Sequence, residues 1–187
     1  MFSFAGKTAV VTGGGSGIGQ AVVKRLAEHG AGVVVLDISE AAARESVDLV
    51  TAAGGDARAV ACDVGDAASV EAAFASLSEA ESCDILVNSA GIAHIGTLET
   101  TDEAAFDRLY RVNVKGVYLC CKAAVSRMAG RGGVIVNMVS IASLIGLEDR
   151  FAYSMTKGAV LTMTRSIAVD YMQQGIRCNC VCPARVH

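Results

Sequence analysis

Short apolar runs alternate with longer amphipathic stretches from one end of the chain to the other. The apolar runs predict β-strands near positions 7–12, 32–37, 57–62, 84–89, 132–139 and 176–182. The amphipathic stretches predict helices near positions 17–29, 40–53, 67–80, 102–128 and 154–174. This alternation favours an α/β fold, a Rossmann-like doubly wound parallel sheet of strand order 3-2-1-4-5-6 with helices on both faces. No repeat or linker divides the sequence, so we expect one domain over residues 1–187.

A glycine-rich segment, TGGGSGIG at residues 12–19, follows the first predicted strand and opens the first predicted helix. Glycine permits a tight turn and lets a ligand approach the backbone closely. The free N–H groups at a helix N-terminus bind phosphate groups. The segment therefore indicates a dinucleotide phosphate site, with candidate residues Gly13, Gly15, Ser16, Gly17, Ile18 and Gly19. An ordinary strand-to-helix turn is the alternative interpretation.

Other candidate ligands follow predicted strands, and the carboxyl ends of parallel strands form the edge where ligands bind. Asp37 and Ile38 follow the second strand, where a carboxylate accepts hydrogen bonds from an adenosine ribose. Asp63 and Val64 follow the third strand and suit contacts to an adenine, although a turn aspartate is the plainer interpretation. The remaining candidates after strands four and five are Asn88, Ala90, Gly91 and Ser140.

Tyr153 and Lys157 are four residues apart in the last predicted helix, so they share one helix face. An ammonium about 5 Å from a phenol stabilises the phenolate by roughly 3 kcal/mol at an effective dielectric of about 20. A tyrosine that ionises readily is a suitable general acid/base for alcohol–carbonyl interconversion. Such a pair also arises by chance with a solvated lysine, so the spacing alone leaves both interpretations open.

Composition and charge narrow the class of protein. The net charge of −3 and the pI near 5.6 favour no nucleic-acid partner. No apolar run approaches the roughly 18 residues of a membrane helix, and Met1 leads directly into the first strand without a signal peptide, so we expect no membrane partner. Seven cysteines favour a reducing, cytoplasmic location. Cys178, Cys180 and Cys182 share one strand face but lack a fourth ligand, so we expect packing and no metal.

Together these motifs make the whole chain resemble the short-chain dehydrogenase/reductase family, in the branch with a TGxxxGIG turn. The resemblance rests on the order of the turn at 12–19, Asp37, Asp63-Val64, the turn at 88–91, Asn113, Ser140, Tyr153 and Lys157. It implies an oxidoreductase that transfers a hydride between an NAD(P) cofactor and a CH–OH group. It also implies a homotetramer that assembles through the two long helices.

The resemblance implies catalytic roles for four residues. Tyr153 would donate and accept the proton, and Lys157 would promote its ionisation and bind the nicotinamide ribose. Ser140 would hydrogen-bond the substrate oxygen, and Asn113 would hold a water that relays protons from Lys157. Tyr153, Lys157 and Pro183 would also contact the cofactor.

Two positions depart from the family pattern. Ser89 stands where a second asparagine is usual, and Pro183-Ala184-Arg185 replaces the usual Pro-Gly. The resemblance also implies a substrate lid and a seventh strand beyond residue 187, which this sequence does not include.

The charged side chains near the predicted site indicate which cofactor and which class of substrate to expect. Asp37 favours NAD over NADP, because a carboxylate accepts bonds from both ribose hydroxyls and repels a ribose phosphate. Residues 175–183 resemble cytosolic 3-hydroxybutyrate dehydrogenases and related sugar-acid dehydrogenases. We therefore expect a small substrate that carries a carboxylate, with Arg150, Arg185 and His94 as candidate ligands beside Ser140 and Tyr153. The alternatives are a polyol, sugar or steroid alcohol dehydrogenase, a 3-oxoacyl carrier-protein reductase, or a nucleotide-binding regulator that is no enzyme.

Overall fold

The computed structural model describes residues 2–78 and 82–184. The strands are β1 Thr8–Thr12, β2 Gly32–Asp37, β3 Asp56–Ala61, β4 Ile85–Asn88, β5 Gly133–Met138 and β6 Ile176–Val181. The α-helices are α1 Gly17–Glu28, α2 Glu40–Ala52, α3 Ala67–Ala75, α4 Glu103–Leu109, α5 Gly116–Met128 and α6 Phe151–Asp170. The strands form one parallel sheet in the order β3-β2-β1-β4-β5-β6, which confirms the predicted fold class and strand order.

Helices cover both faces of the sheet because its central strands are apolar on both sides. Successive residues of a strand point to opposite faces. Val10 and Val34 pack in a cluster with side chains of α3, α5 and α6. Val11 and Val35 pack in a second cluster with side chains of α1 and α2. The sheet is therefore packed between two apolar cores, one on each face, and this packing fixes its register.

The strand registers bring the carboxyl ends to one edge of the sheet. Thr12 pairs with Leu36 and with Asn88, and Asn88 pairs with Asn137. The segments that leave these strands are the glycine-rich turn, the turn at 89–91 and the segment that begins near Ser140. This edge is where a doubly wound sheet binds ligands.

The single helix predicted over residues 102–128 is wrong in one respect, because a π-helical turn at Tyr110–Lys115 separates α4 from α5. A π-helical turn accommodates an extra residue and rotates the face of the helix that follows. Asn113 is buried within it, and its side chain bonds the backbone of Ile92. The apolar pattern does not show this interruption, because the partner of Asn113 is distant in sequence.

Helix α6 is displaced from its predicted range of 154–174. It begins at Phe151, so Tyr153 lies inside its first turn, and it ends at Asp170. A short 3-10 turn follows, and Gly175 adopts φ 71° before β6 begins. The left-handed conformation of Gly175 is what ends this segment, because most other residues avoid it.

The cysteines pack mainly as apolar groups, as the sequence predicts. Cys120, Cys121 and Cys178 are buried, and Cys180 and Cys182 are half-buried. Burial raises the pKa of Cys121 to about 12 and that of Cys178 to about 11. Within residues 2–78 and 82–184, no three His, Cys, Asp or Glu side chains are grouped as a metal site. No helix in the same ranges is long and apolar enough to cross a membrane.

Leu86 lies fully buried in the central strand β4. We expect Leu86→Ala to lower the free energy of unfolding by about 2–5 kcal/mol, because it leaves a cavity between two packed layers. Urea denaturation measures this change. Leu98→Ala is the matched control, since Leu98 is 69% exposed, and its effect should stay within about 0.5 kcal/mol. Equal losses for the two variants would contradict the described packing of the core.

Candidate active site

A cavity of about 310 Å³ opens at the carboxyl edge of the sheet, between β4, β5 and α6. Ser140, Tyr153 and Lys157 lie on its wall. The other lining residues are Ile18, Ser89, Gly91, Ile92, Ala93, Met138, Val139, Pro183 and Ala184. The three candidate catalytic residues therefore share one space with the candidate cofactor ligands Ile18, Gly91 and Pro183.

Lys157 is the buried cation of this cavity, with 7% of its surface exposed. Its Nζ donates a hydrogen bond to the backbone oxygen of Met138 at 2.8 Å and lies 5.7 Å from the centre of the Tyr153 ring. Burial lowers the pKa of Lys157 to about 8, because a charged ammonium loses hydration there. The ammonium and the phenol thus share one partly desolvated wall.

Ser140 lies two residues after the end of β5, in extended backbone with φ −172°. Its Oγ accepts a hydrogen bond from the Ala142 N–H at 3.2 Å and so caps a 3-10 turn. This bond uses a lone pair, so the hydroxyl proton is left for an acceptor in the cavity. The cap fixes the side chain on the same wall as Tyr153.

A second cavity, of about 290 Å³, adjoins the first and shares Ser89, Gly91 and Ile92 with it. Its other lining residues are Gly13, Ser16, Asp37, Ile38, Cys62, Asp63, Val64, Ala90 and Val112. Most of these residues are the predicted nucleotide ligands. The two cavities form one continuous cleft along the carboxyl edge, the shape that an extended dinucleotide requires.

The N-terminus of α1 fits the phosphates of such a dinucleotide. Its first turn carries no acidic residue, and Ser16 and Gly17 are exposed beside the second cavity. Gly17 has φ 51°, and a Cβ placed there would enter open space. The uncapped N–H groups of this turn suit an anion.

The other glycines of the turn permit close packing. A Cβ on Gly19 would lie 2.0 Å from the backbone oxygen of Gly13, and one on Gly13 would lie 2.7 Å from the backbone of Ala90. Two hydroxyl groups connect the turn to neighbouring segments. Ser46 on α2 donates to the oxygen of Gly14, and Thr12 accepts from the N–H groups of residues 89 and 90. Ser46 was not a candidate in the sequence, because its partner is 32 positions away.

Asp37 forms a hydrogen bond to the glycine-rich turn and also lines the second cavity. Its Oδ2 accepts from the N–H of Gly15 at 3.0 Å, and its Oδ1 accepts from the N–H of Ser39 at 3.0 Å. A carboxylate with two oxygens has further lone pairs for a ligand. The position of Asp37 therefore suits contact with a ribose.

Asp63 forms an ion pair that sequence analysis did not predict. Arg111 in the π-helical turn donates to Asp63 Oδ2 at 2.8 Å, and the N–H of Gly65 donates to Oδ1 at 2.9 Å. The bond from Arg111 is the main cause that lowers the pKa of Asp63. The Asp63 carboxylate is thus kept charged beside the second cavity.

Asn113 lies behind the cavity wall and not on it. Its Oδ1 accepts from the N–H of Ile92 at 2.8 Å, and its Nδ2 donates to the oxygen of Ile92 at 2.9 Å. Nδ2 also donates to the hydroxyl of Thr156 at 3.1 Å. Thr156, next to Lys157, belongs to no sequence motif, and its partner Asn113 is 43 positions away, so the sequence alone does not indicate this bond.

Some candidate residues lie away from the cleft. Asn88 is buried, and its amide bonds Asn137 at 2.8 Å inside the core. His94 turns its Nε2 toward the backbone of Gly96, and in the described residues this atom is buried without a hydrogen-bond partner. Arg150 donates to the oxygen of Asp149 at 2.9 Å, and neither it nor His94 lines either cavity. Arg185 lies outside the described residues.

The charged form of Lys157 lowers the free energy of unfolding, because the ammonium loses hydration when it is buried. The folded protein binds fewer protons than the unfolded chain between pH 8 and 10.5, so its stability rises with pH across that window. We expect Lys157→Met to raise the free energy of unfolding at pH 7 by roughly 2–3 kcal/mol, because it removes a charge that is costly to bury.

Thermal unfolding followed by circular dichroism between pH 6 and 10.5 checks this prediction. The gain should be largest below pH 8 and should vanish near pH 10.5. Lys24→Met, at an exposed position of α1, is the control and should change stability little at any pH. A Lys157→Met protein that is less stable at pH 7 would show that the ammonium is not desolvated.

Comparison with known proteins agrees with this geometry. Residues 7–187 match the short chain dehydrogenase family. The chain is 42% identical to 2-(R)-hydroxypropyl-CoM dehydrogenase of Xanthobacter autotrophicus, over 96% of this chain and 74% of that protein. It is 40% identical to 2-keto-3-deoxy-L-fuconate dehydrogenase of Xanthomonas campestris, over 97% of this chain and 59% of that protein.

Solved structures show the same likeness. A crystal structure of a dehydrogenase/reductase from Sinorhizobium meliloti superposes with a TM-score of 0.92 at 39% identity, over 97% of this chain and 73% of that one. The family match, the relatives and the cleft at the carboxyl edge lead to one conclusion. The chain belongs to the short chain dehydrogenase family and is an oxidoreductase that acts on CH–OH groups and uses an NAD(P) cofactor.

Proposed function

We propose that the protein interconverts a secondary alcohol and a ketone with NAD, with Tyr153 as general acid/base. The observation that carries this proposal is the placement of Ser140, Tyr153 and Lys157 on one cavity wall. That cavity adjoins a second one lined by the glycine-rich turn and Asp37. The reacting carbon and a nicotinamide ring would meet where the two cavities join.

Each side chain has a distinct task in alcohol oxidation. The Tyr153 oxygen accepts the hydroxyl proton of the alcohol, and in ketone reduction it returns that proton. The buried Lys157 ammonium lies 5.7 Å from the centre of the Tyr153 ring and would stabilise negative charge on the tyrosine oxygen by charge attraction. The Ser140 hydroxyl donates a hydrogen bond to the substrate oxygen as negative charge develops there. The bound nicotinamide supplies the hydride acceptor.

Asn113 has a supporting place in this proposal. Its side chain fixes the Ile92 backbone on the wall of the first cavity. A water that relays protons from Lys157 to solvent would lie beside Asn113. Both Nδ2 protons are donated to protein groups, so that water would need another group of the chain as its partner.

The preference for NAD rests on the charges at the end of β2. Asp37 lines the second cavity, where a ribose phosphate of NADP would meet its negative charge. Arg44 is the first basic residue after it, and its guanidinium pairs with Glu40 on the exposed side of α2. No cation of the adjacent segment 38–43 opposes Asp37.

For the substrate we propose a small hydroxy acid, a 3-hydroxy acid or a deoxy sugar acid. The relative from Xanthomonas campestris carries a deoxy sugar acid in its name. Arg150 lies one residue before α6 and three residues before Tyr153, and a change of its side-chain rotamer would bring its charge toward a substrate carboxylate. His94 and Arg185 would be further ligands of the same carboxylate.

The second candidate is a neutral secondary alcohol, such as a polyol, sugar or steroid. It is favoured by the bond that holds Arg150 to the oxygen of Asp149, away from the first cavity.

We also propose that the protein is a homotetramer in the cytoplasm. Exposed aromatic residues Tyr110 and Tyr118 on the outer side of the α4–α5 segment support self-association through that segment.

The first experiment measures NADH formation at 340 nm with hydroxy acids, sugar acids, polyols and steroid alcohols. We expect turnover of carboxylate substrates with the wild type and a loss of at least about 1,000-fold in Tyr153→Phe, since that variant lacks the proton acceptor. NAD binding by the variant, measured by calorimetry, should be retained. Turnover of neutral alcohols alone would favour the second candidate, and NAD binding without any turnover would favour a regulator.

The cofactor preference is tested by Asp37→Asn. This variant keeps an oxygen acceptor for the N–H of Gly15 but removes the charge. We expect the ratio of kcat/KM for NAD to that for NADP to fall by about tenfold or more, since about 1.4 kcal/mol of repulsion suffices for that change. Asp48→Asn removes an equal charge from an exposed position of α2 and is the control. An unchanged ratio in Asp37→Asn would refute the electrostatic argument.

A further inference from the structure

Thr156 is a fully buried polar residue between Tyr153 and Lys157 on helix α6, with 0% of its surface exposed. Its hydroxyl donates to the backbone oxygen of Tyr153 at 2.8 Å. The same hydroxyl accepts from Asn113 Nδ2 at 3.1 Å. One hydroxyl group therefore joins the first turns of α6 to the π-helical turn between α4 and α5.

Asn113 in turn forms hydrogen bonds to the segment that lines the cleft. Its amide holds both backbone polar groups of Ile92, as donor and as acceptor. A Cβ built on Gly91 would lie 3.3 Å from Asn113 Oδ1 and 3.5 Å from Lys157 Nζ. Gly91 thus lies close to the amide and to the ammonium at once.

We propose that Thr156 is a positioning residue, whose hydroxyl ties α6 to Asn113 and so seats the segment Gly91–Ile92 over the ammonium of Lys157. This inference deepens the proposed function and rests on it, because the positioned groups are those that would transfer the proton. Thr156 itself lines neither cavity. It acts through Asn113 and through the backbone of Tyr153.

The hydroxyl is required because the Asn113 amide has two protons and the structure gives each an acceptor. Valine has nearly the shape of threonine but offers no acceptor. Thr156→Val would leave one amide proton buried without a partner, which proteins avoid. The amide would turn or recruit a water, and the segment 91–92 would lose its fixed distance from Lys157.

Helix α6 contains a matched control two turns further along. Thr164 is also buried, with 3% of its surface exposed, and its hydroxyl donates to the oxygen of Val160 at 2.7 Å. It accepts from Asn137 Nδ2 at 2.9 Å. Thr164→Val therefore removes the same type of bridge between α6 and a buried asparagine, at a site away from both cavities.

The experiment compares Thr156→Val, Thr156→Ser and Thr164→Val with the wild type, on the substrate that turns over fastest in the panel. The kcat of Thr156→Val should fall about tenfold, equivalent to about 1.4 kcal/mol, with KM changed less than about threefold. Thr156→Ser keeps the hydroxyl and should recover kcat to within about twofold. Thr164→Val should lower the melting temperature about as much as Thr156→Val but leave kcat within about twofold.

A second measurement needs no substrate. The rate at which acetic anhydride labels Lys157, followed by mass spectrometry of the apo protein, reports the cover over the ammonium. It should rise about fivefold in Thr156→Val, since water and reagent then reach Nζ, and stay at the wild-type value in Thr164→Val. If the wild type turns over no substrate, the proposed function fails and this labelling alone decides the inference.

Three results would overturn the inference. The first is a Thr156→Val protein with wild-type kcat and wild-type labelling of Lys157. The second is an equal loss of kcat in both valine variants, which would reduce Thr156 to a general contribution to stability. The third is a Thr156→Ser protein as impaired as Thr156→Val, which would show that the methyl group and not the hydroxyl matters.

Discussion

The arrangement of the cleft depends on one costly group, the buried ammonium of Lys157. A charge in such a place has lost most of its hydration and therefore needs a hydrogen-bond acceptor from the protein. The carboxyl end of β5 supplies the acceptor through the Met138 oxygen, and Gly91, in the segment after β4, lies close to the ammonium. The sheet, the π-helical turn and α6 must therefore meet at one point, and the parallel order of the strands is what makes that meeting possible.

The features that local sequence determines could be predicted. The glycine-rich turn, the strand order and the placement of Ser140 and Tyr153 at one edge follow from short patterns within a regular fold. The structure confirms the strand order, and Ser140 and Tyr153 line one cavity in it. Each motif lies next to the strand that carries it, so its position follows once the strand is recognised. Residue roles inside the cleft remain proposals.

What could not be predicted depends on partners distant along the chain. The bond between Asn113 and Thr156 joins residues 43 positions apart, and no periodic pattern encodes it. The π-helical turn that contains Asn113 also interrupts the helix predicted over residues 102–128. Arg150 illustrates a different limit, since spacing places its Cα near the cleft but does not specify that its guanidinium turns to Asp149. Side-chain direction is decided by the final packing.

The acceptor of the Lys157 bond is a main-chain oxygen, and this has a consequence for how the protein can evolve. Every amino acid presents the same carbonyl group, so replacement of Met138 would leave that bond in place as long as β5 keeps its path. Met138 is also one of the residues that line the first cavity. The fold thus separates the support of the reaction from the shape of the pocket, and new substrates can be explored at this position without rebuilding the chemistry beneath it.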